Sequence, residues 1–397
     1  MARYGLPDHV EFCTRCVQSN QKVVPSIVQR DTKEGSKSTL IFQDGVCLPC
    51  RIHEAKVNSI DWNFREQELL KLLDRYRSSN GNWDCIVPGS GGKDSIFQAH
   101  ILKTKYGMNP LTVTWAPHLY TDVGRRNFDR WIRKGGFDNM LFTPDGERHG
   151  LLTRLAFKNL FHPFQPFIFG QRNYVMHISR QLGIKLIFFG ENPAEYGGFR
   201  GEEDSPKMSK RYYVDSDRSS MRISGLSLDE LKNEKKIDQY ALRYYLPLTE
   251  EEYSKFSPAP HWLGYYVNFH PQSNYYYAQE HVGFETNDQR TEGTYSRYNS
   301  IDDKLDGFHY WCGYIKFGIG RATHEASQEI RNGDLTREEG VSLVRKYDGE
   351  FPARYFKEIL EYIQMDEEEF FNLADSFRPE HLWVKSNSDW QLRHRVS

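Results

Sequence analysis

The chain has 397 residues, enough for roughly two or three domains and a large core. Its formal net charge of -2 gives no global attraction for nucleic acid. No stretch reaches the roughly eighteen apolar residues of a membrane span, the start Met1-Ala2-Arg3-Tyr4 lacks a signal-peptide core, and mean hydropathy is -0.71. The expectation is a cytoplasmic protein without a membrane anchor.

In chain order, the first signal is a pair of Cys-x-x-Cys knuckles, Cys13/Cys16 and Cys47/Cys50. Four thiolates so spaced suit one tetrahedral Zn2+. Two disulfides would be out of place in the cytoplasm. Residues 1–55 are too few and too polar to bury a core unaided, so metal binding would fold them as a zinc ribbon. Cys85 and Cys312 stand alone and read as buried hydrophobes. Residues 56–80 form a connector whose helix, 61 to 78, carries Leu69, Leu70, Leu72 and Leu73 at helical spacing.

The strongest signal in the chain is the stretch from 84 to 95. A short apolar run, Cys85-Ile86-Val87, breaks into Pro88-Gly89-Ser90-Gly91-Gly92-Lys93-Asp94-Ser95 and then turns helical. Such a turn aims backbone N–H groups at an anion, so it reads as a phosphate cradle. A Walker A loop is excluded, because Val87 stands at its first glycine and Asp94 comes directly after the lysine. A dinucleotide fingerprint is excluded as well, because Asp94 stands where the third glycine belongs. The remaining text, Ser-Gly-Gly-Lys-Asp-Ser, looks like the pyrophosphate loop (PP-loop) of ATPases that cleave ATP between its α and β phosphates. That resemblance implies ATP and Mg2+.

Beyond the loop, the pattern predicts a helix over 95–106, a strand over 111–116, a helix over 122–134 and a strand over 139–142. Helices over 147–160 and 168–182 and a strand over 184–189 come next. Alternation of this kind argues a doubly wound α/β parallel sheet, here residues 81–200, with ligands beyond the strands' carboxyl ends. Trp115-Ala116-Pro117 and Gly190-Glu191-Asn192 are therefore expected beside the loop. Residues 201–260 read as an insertion or flap, the change of character starting near 195. Residues 261–335, rich in aromatics with interspersed His270, Asn274, Glu280 and Glu292, suit a polar ligand pocket. Within them, Lys316 and Arg321 flank two glycines ahead of a helix and are candidates to meet phosphate oxygens. Residues 336–397 read as a helical region with a polar tail.

Several blocks together carry a family resemblance: the two knuckles, the 84–95 loop, Thr-Trp-Ala-Pro at 114 to 117, His162-Pro163-Phe164, Gly190-Glu191-Asn192-Pro193, and the 316–321 and 334–340 segments. The chain resembles the N-acetyl sugar amidotransferases of surface-polysaccharide and nonulosonic acid pathways. The resemblance implies a PP-loop (adenine nucleotide alpha-hydrolase-like) fold with an N-terminal zinc ribbon and a C-terminal helical region. It implies that ATP activates the acetamido oxygen of a nucleotide-linked N-acetyl sugar, that ammonia then displaces AMP, and that a partner glutaminase supplies the ammonia. Ser90, Gly91, Gly92 and Ser95 would cradle pyrophosphate, Lys93 would neutralise charge and Asp94 would orient Mg2+, with Trp115 and Gly190 beside the nucleotide. Lys316 and Arg321 would assist at phosphates. Arg172 and Glu191 would lie near the acceptor, Arg172 holding an acidic group on it, and Asn192 would orient its acetamido oxygen. Two rival readings remain: a PP-loop tRNA-modifying enzyme, against which the near-neutral charge counts, and a non-catalytic nucleotide-binding scaffold, against which the pairing of Lys93 with Asp94 counts.

Overall fold

The computed structural model describes residues 2–24, 32, 35, 37–190, 205–387 and 389–397. Near the amino end, the Asp44-Gly45 pair takes positive φ at both positions (51° and 72°) and closes a tight hairpin of β1 (Phe42–Gln43) and β2 (Val46–Cys47). The turn delivers Cys47 to the start of α1 (Leu48–Asn58), whose first turn holds Cys50. Helix α2 (Trp62–Tyr76) begins where Asp61 accepts from Phe64 N–H (3.0 Å) and buries Leu69, Leu72 and Leu73.

The central sheet is parallel throughout. Its strands are β3 (Cys85–Pro88), β4 (Pro110–Trp115), β5 (Asp138–Phe142), β6 (Leu186–Phe189) and β9 (Ala259–Trp262), in the spatial order β5-β4-β3-β6-β9. The chain leaves β3 toward β4 and β5 and later returns to β3's other side. The switch point therefore falls at the carboxyl end of β3, where the glycine loop begins.

Alternation along the strands sorts the two faces. Ile86, Leu111, Val113 and Ile187 face α6 (Gln165–Leu182) and the 208–248 segment. Cys85, Val87, Leu186 and Phe188 face α2, α3 (Lys93–Thr104) and α4 (Asp122–Arg133). Helix α5 (Gly146–Leu160) precedes α6. The expected doubly wound arrangement is present in these residues.

The stretch read as an insertion or flap departs from expectation wherever it is described. Between β6 and β9 lie β7 (Arg222–Ile223), β8 (Leu226–Ser227), α7 (Leu228–Lys235) and α8 (Glu250–Phe256). Met221, Ile223, Leu231, Leu242 and Leu248 are all fully buried against the sheet's helical layer. Their spacing has no helical or strand period among the serines and charges, so the sequence reads as surface. The crossover also ends in a fifth strand, β9, which contains a proline and is only four residues long.

After β9 come α9 (Leu263–Tyr266) and α10 (Pro271–Val282), the latter packed along α3. The remaining helices are α11 (Asp306–Phe317), α12 (Arg321–Asn332), α13 (Arg337–Tyr347), α14 (Phe356–Ile363) and α15 (Glu367–Ser376). An aromatic core of Phe157, Phe161, Phe308, Trp311, Phe370 and Phe377 joins α5 to α11 and α15. The carboxyl-terminal tail is a hairpin, β10 (Trp383–Ser386) with β11 (Asp389–Leu392), where helices and polar coil are expected.

Candidate active site

The loop's geometry is dictated by its glycines. Gly89 donates to Val113 O (3.0 Å), and a Cβ there would collide with Ser95 and Trp131. Gly91 has φ of 88°, and a Cβ would lie 2.7 Å from Phe128 Cα, so both conformation and space demand glycine. Gly92 caps α3, and the first helical bond is Ile96 N–H to Gly92 O (3.0 Å). The N–H groups of Lys93, Asp94 and Ser95 therefore precede the helix's own acceptors and remain available to an anion. Ser95 Oγ donates back to Gly92 O (2.9 Å).

Asp94 is held from two sides. One carboxylate oxygen pairs with the Lys93 ammonium, and the other accepts from Asn274 Nδ2 at 2.9 Å, an amide presented by α10. Tyr298 stacks on Tyr275 with ring centroids 4.5 Å apart, and the Lys93 ammonium stands 6.0 Å from the Tyr298 ring centre. Asp302 lines the cavity onto which the loop opens, and its carboxyl is raised above its ordinary range by burial. Asp302 was not foreseen from sequence, where it is one of two adjacent acids in a turn.

The loop opens on a cavity of about 680 Å3, within the range of small-molecule sites. Gly91, Gly92, Lys93, Asp94, Arg172 and Lys316 line it, so the structure gathers these predicted residues at one site. Lys22, Lys37 and Arg331 also line it, and the cations outnumber Asp94, Asp302 and Glu325. An anionic ligand suits this balance. Arg172 has no carboxylate partner among the described residues, and its guanidinium lies over Tyr212 at 5.2 Å. Lys316 donates to Leu160 O (2.7 Å) and sits 5.1 Å from the rings of Tyr4 and Phe317. His162, His309 and His324 also line the cavity, and burial depresses each imidazole's pKa, His309's to about 4, so they stand neutral near pH 7.

Ser90 and Ser95 belong to the loop without lining the cavity, and three further predicted residues lie elsewhere. Arg321 is behind the wall, 1% exposed, bonded to Glu325 (3.1 Å) and Asn299 O and stacked on Tyr310. It braces the 299–301 segment instead of facing the cavity. Trp115 is buried against Gly170, Phe142 and Tyr245 in the core. Gly190 directly follows β6, and its carbonyl accepts from Gly264 N–H (2.8 Å). Glu191 and Asn192 lie outside the described residues.

The four knuckle cysteines converge, their sulfurs within 4.8 Å of one another, with Cys16 to Cys47 at 3.6 Å and Cys13 to Cys50 at 3.9 Å. Tetrahedral zinc with bonds near 2.3 Å places sulfurs about 3.8 Å apart, so the donor set fits the ion. The N–H groups of Arg15 and Cys47 (each 3.4 Å) point at Cys13 Sγ, as they would at a thiolate. The cluster is sealed by Val24, Leu40 and Ile330, while Val17 packs on Ala326 and Val344 of α12 and α13. By sequence this module looks separate from the site, yet Lys22, Val23 and Val24 form part of the cavity wall.

Residues 292–397 match a family described as LPS biosynthesis protein WbpG-like, C-terminal domain. This segment carries Tyr298, Asp302, Lys316 and Arg331 of the cavity wall. The match associates the chain with lipopolysaccharide biosynthesis. None of the curated proteins matches the chain. No helix among the described residues is long and apolar enough to cross a membrane.

Proposed function

We propose that this chain is an ATP-dependent amidotransferase of the PP-loop class, converting an N-acetyl group on a nucleotide-linked sugar to an acetamidino group. One observation carries the reading. The Ser90–Ser95 loop and the WbpG-like segment face each other across one cation-rich cavity.

The acetamido oxygen would attack the α-phosphorus of ATP, the bond to the β-phosphate oxygen breaking as pyrophosphate leaves. Ammonia would then add to the activated carbon and lose its extra protons, and AMP would depart with the former acetamido oxygen. Two feasible steps replace one hard one, because an amide oxygen is a poor leaving group until it is adenylated. Backbone N–H groups at the α3 N-terminus and Lys93 would hold the departing pyrophosphate. Asp94, steadied by Asn274, would hold Mg2+, which would supply positive charge to offset that of the phosphates. Arg172 would meet an acidic group of the acceptor.

Zinc at Cys13, Cys16, Cys47 and Cys50 would be structural. Ammonia would come from a separate glutaminase subunit. The two remaining thiols, Cys85 and Cys312, are 0% and 1% exposed and pushed up by burial, unsuited to act as glutaminase nucleophiles.

The test is mass spectrometry of reactions containing ATP, Mg2+, ammonium and a panel of UDP-, GDP-, dTDP- and CMP-linked acetamido sugars. The expected products are AMP, pyrophosphate and a sugar nucleotide lighter by about 1 Da, as oxygen is replaced by NH. ADP as the main product, or pyrophosphate release stimulated by tRNA and by no sugar nucleotide, would sink the reading.

A further inference from the structure

The cysteine module's contribution to the cavity is Lys22. Its side chain is 8% exposed and lines the cavity, yet no hydrogen-bond acceptor or carboxylate among the described residues meets its ammonium. The position is fixed by the fold of the module. Cys13 N–H donates to Gln18 O (2.8 Å), Lys22 N–H to Ser19 O (3.1 Å), and Leu40 N–H to Lys22 O (2.8 Å). The knuckle thus runs directly into the residue, and the cysteine cluster sets where its chain begins.

Burial and the neighbouring Arg331 guanidinium lower the Lys22 ammonium's pKa while the thiols of Cys16 and Cys47 act in the opposite sense, and the residue stands as a cation in a desolvated wall. Lys22 lines the cavity with Val23 and Val24 from the cysteine module, whereas Gly91 to Asp94 line it from the loop. Its place on the wall is therefore set by a different element from the loop. Among the described carboxylates of the wall, Asp94 is engaged with Lys93 and Asn274, and Glu325 with Arg321 and Thr294. A buried ammonium on a cavity wall, with no hydrogen-bond partner among the described residues, suits a ligand anion.

We propose that Lys22, beside Arg331, is a second anion subsite of the cavity that takes a phosphate of the acceptor's nucleotide, while the α3 N-terminus serves the phosphates of ATP. This assignment rests on the acceptor class given under Proposed function. It makes the cysteine module a participant in substrate selection as well as a folding unit.

The experiment is equilibrium binding to the full chain, measured by calorimetry. The probes are α,β-methylene ATP with Mg2+ and the tightest-binding member of the sugar-nucleotide panel. Lys22→Met should weaken the sugar nucleotide about tenfold or more and leave the ATP analogue within about twofold, while Lys22→Arg keeps most of the affinity. The melting temperature of Lys22→Met should not fall, because an unpaired buried charge has been removed. Equal sugar-nucleotide affinity in wild type and Lys22→Met overturns the subsite and leaves the acceptor class standing. Weakening of the ATP analogue alone reassigns the residue to ATP and also overturns it. If wild type binds the ATP analogue and no panel member, the acceptor reading falls and the subsite falls with it.

Discussion

Asn274 donates its side-chain amide to Asp94 at 2.9 Å, tying α10 to the first turn of the helix that continues from the glycine loop. The pair lies 180 positions apart in the chain, so the loop's acid is oriented by a part of the protein with no local reason to be near it.

Asp94→Asn should lower pyrophosphate release about a hundredfold or more, because it removes the charge that would hold the metal. Asn274→Ala should cost about tenfold and raise the Mg2+ concentration needed for half-maximal rate, as expected when a supporting hydrogen bond to a ligand is lost. Rates measured across a Mg2+ titration check both. An unchanged Mg2+ dependence in Asn274→Ala would show that the amide does not serve Asp94 in this way.

Adjacent glycines should behave differently. Gly91→Ala forces a positive φ on alanine and drives its Cβ into Phe128, so it should destabilise the fold by at least about 2 kcal/mol. Gly92→Ala meets nothing nearer than Ser90 Oγ at 3.8 Å and should cost about 1 kcal/mol or less. Because Gly92 lines the cavity, its methyl should still weaken binding of the ATP analogue. Thermal melts paired with calorimetry separate the two effects.

Metal analysis of the purified chain should give one zinc per molecule. Cys47→Ser should lose the metal and, with it, hydrogen-exchange protection of residues 11 to 24, since apparent zinc binding energies of about 10–16 kcal/mol exceed what so small a module buries. The contacts of Val17 with Ala326 and Val344 should loosen at the same time. Full protection without zinc would show that the four sulfurs pack as ordinary buried thiols.

Acid should unfold the protein through its buried histidines. His261, 3% exposed and bonded to Tyr266 Oη at 2.8 Å, and His309 on the cavity wall are both held down to about 4 by burial. An unfolded histidine titrates near 6.5, so between pH 6.5 and 4 the unfolded chain binds more protons. Stability is therefore fully present above about 6.5 and falls as pH drops toward 4, by up to about 3 kcal/mol for each such residue. Melting temperature against pH should show this decline, with a shallower slope in His261→Gln. Parallel slopes in the two proteins would assign the acid sensitivity to other groups.

How much of the molecule could be read from sequence depended on whether a signal was local. The strand entering the loop, the glycines and the two knuckles each announce themselves within a dozen residues, and the structure brings Gly91, Gly92, Lys93 and Asp94 together on a cavity. The fifth strand was hidden, because Ala259–Trp262 is short, contains a proline and is ordered by pairing with β6. Burial of Met221, Ile223 and Leu242 was hidden too, since their spacing has no regular period. The positions of Arg321 and Trp115 also depend on distant packing. Arg321 sits beside two glycines, as a phosphate ligand does, but Glu325 and Asn299 take its guanidinium. Lys22 carries no motif, and only the tertiary fold turns it toward the loop's cavity.

The docking of the cysteine module on α12 and α13 also sets an order of events during synthesis. Cys13 O accepts from Arg337 across 324 positions, which at ordinary elongation rates is a delay of roughly 15 to 65 s. The four cysteines span only residues 13 to 50, so their metal-bound form can close within the first moments after emergence from the ribosome. For the rest of that interval the nascent chain presents Val17 and Val24 without the surface that later covers them. The ligand cavity is complete only once α12, which carries Arg331, has left the ribosome, so the cysteine module can form well before the site it helps to wall.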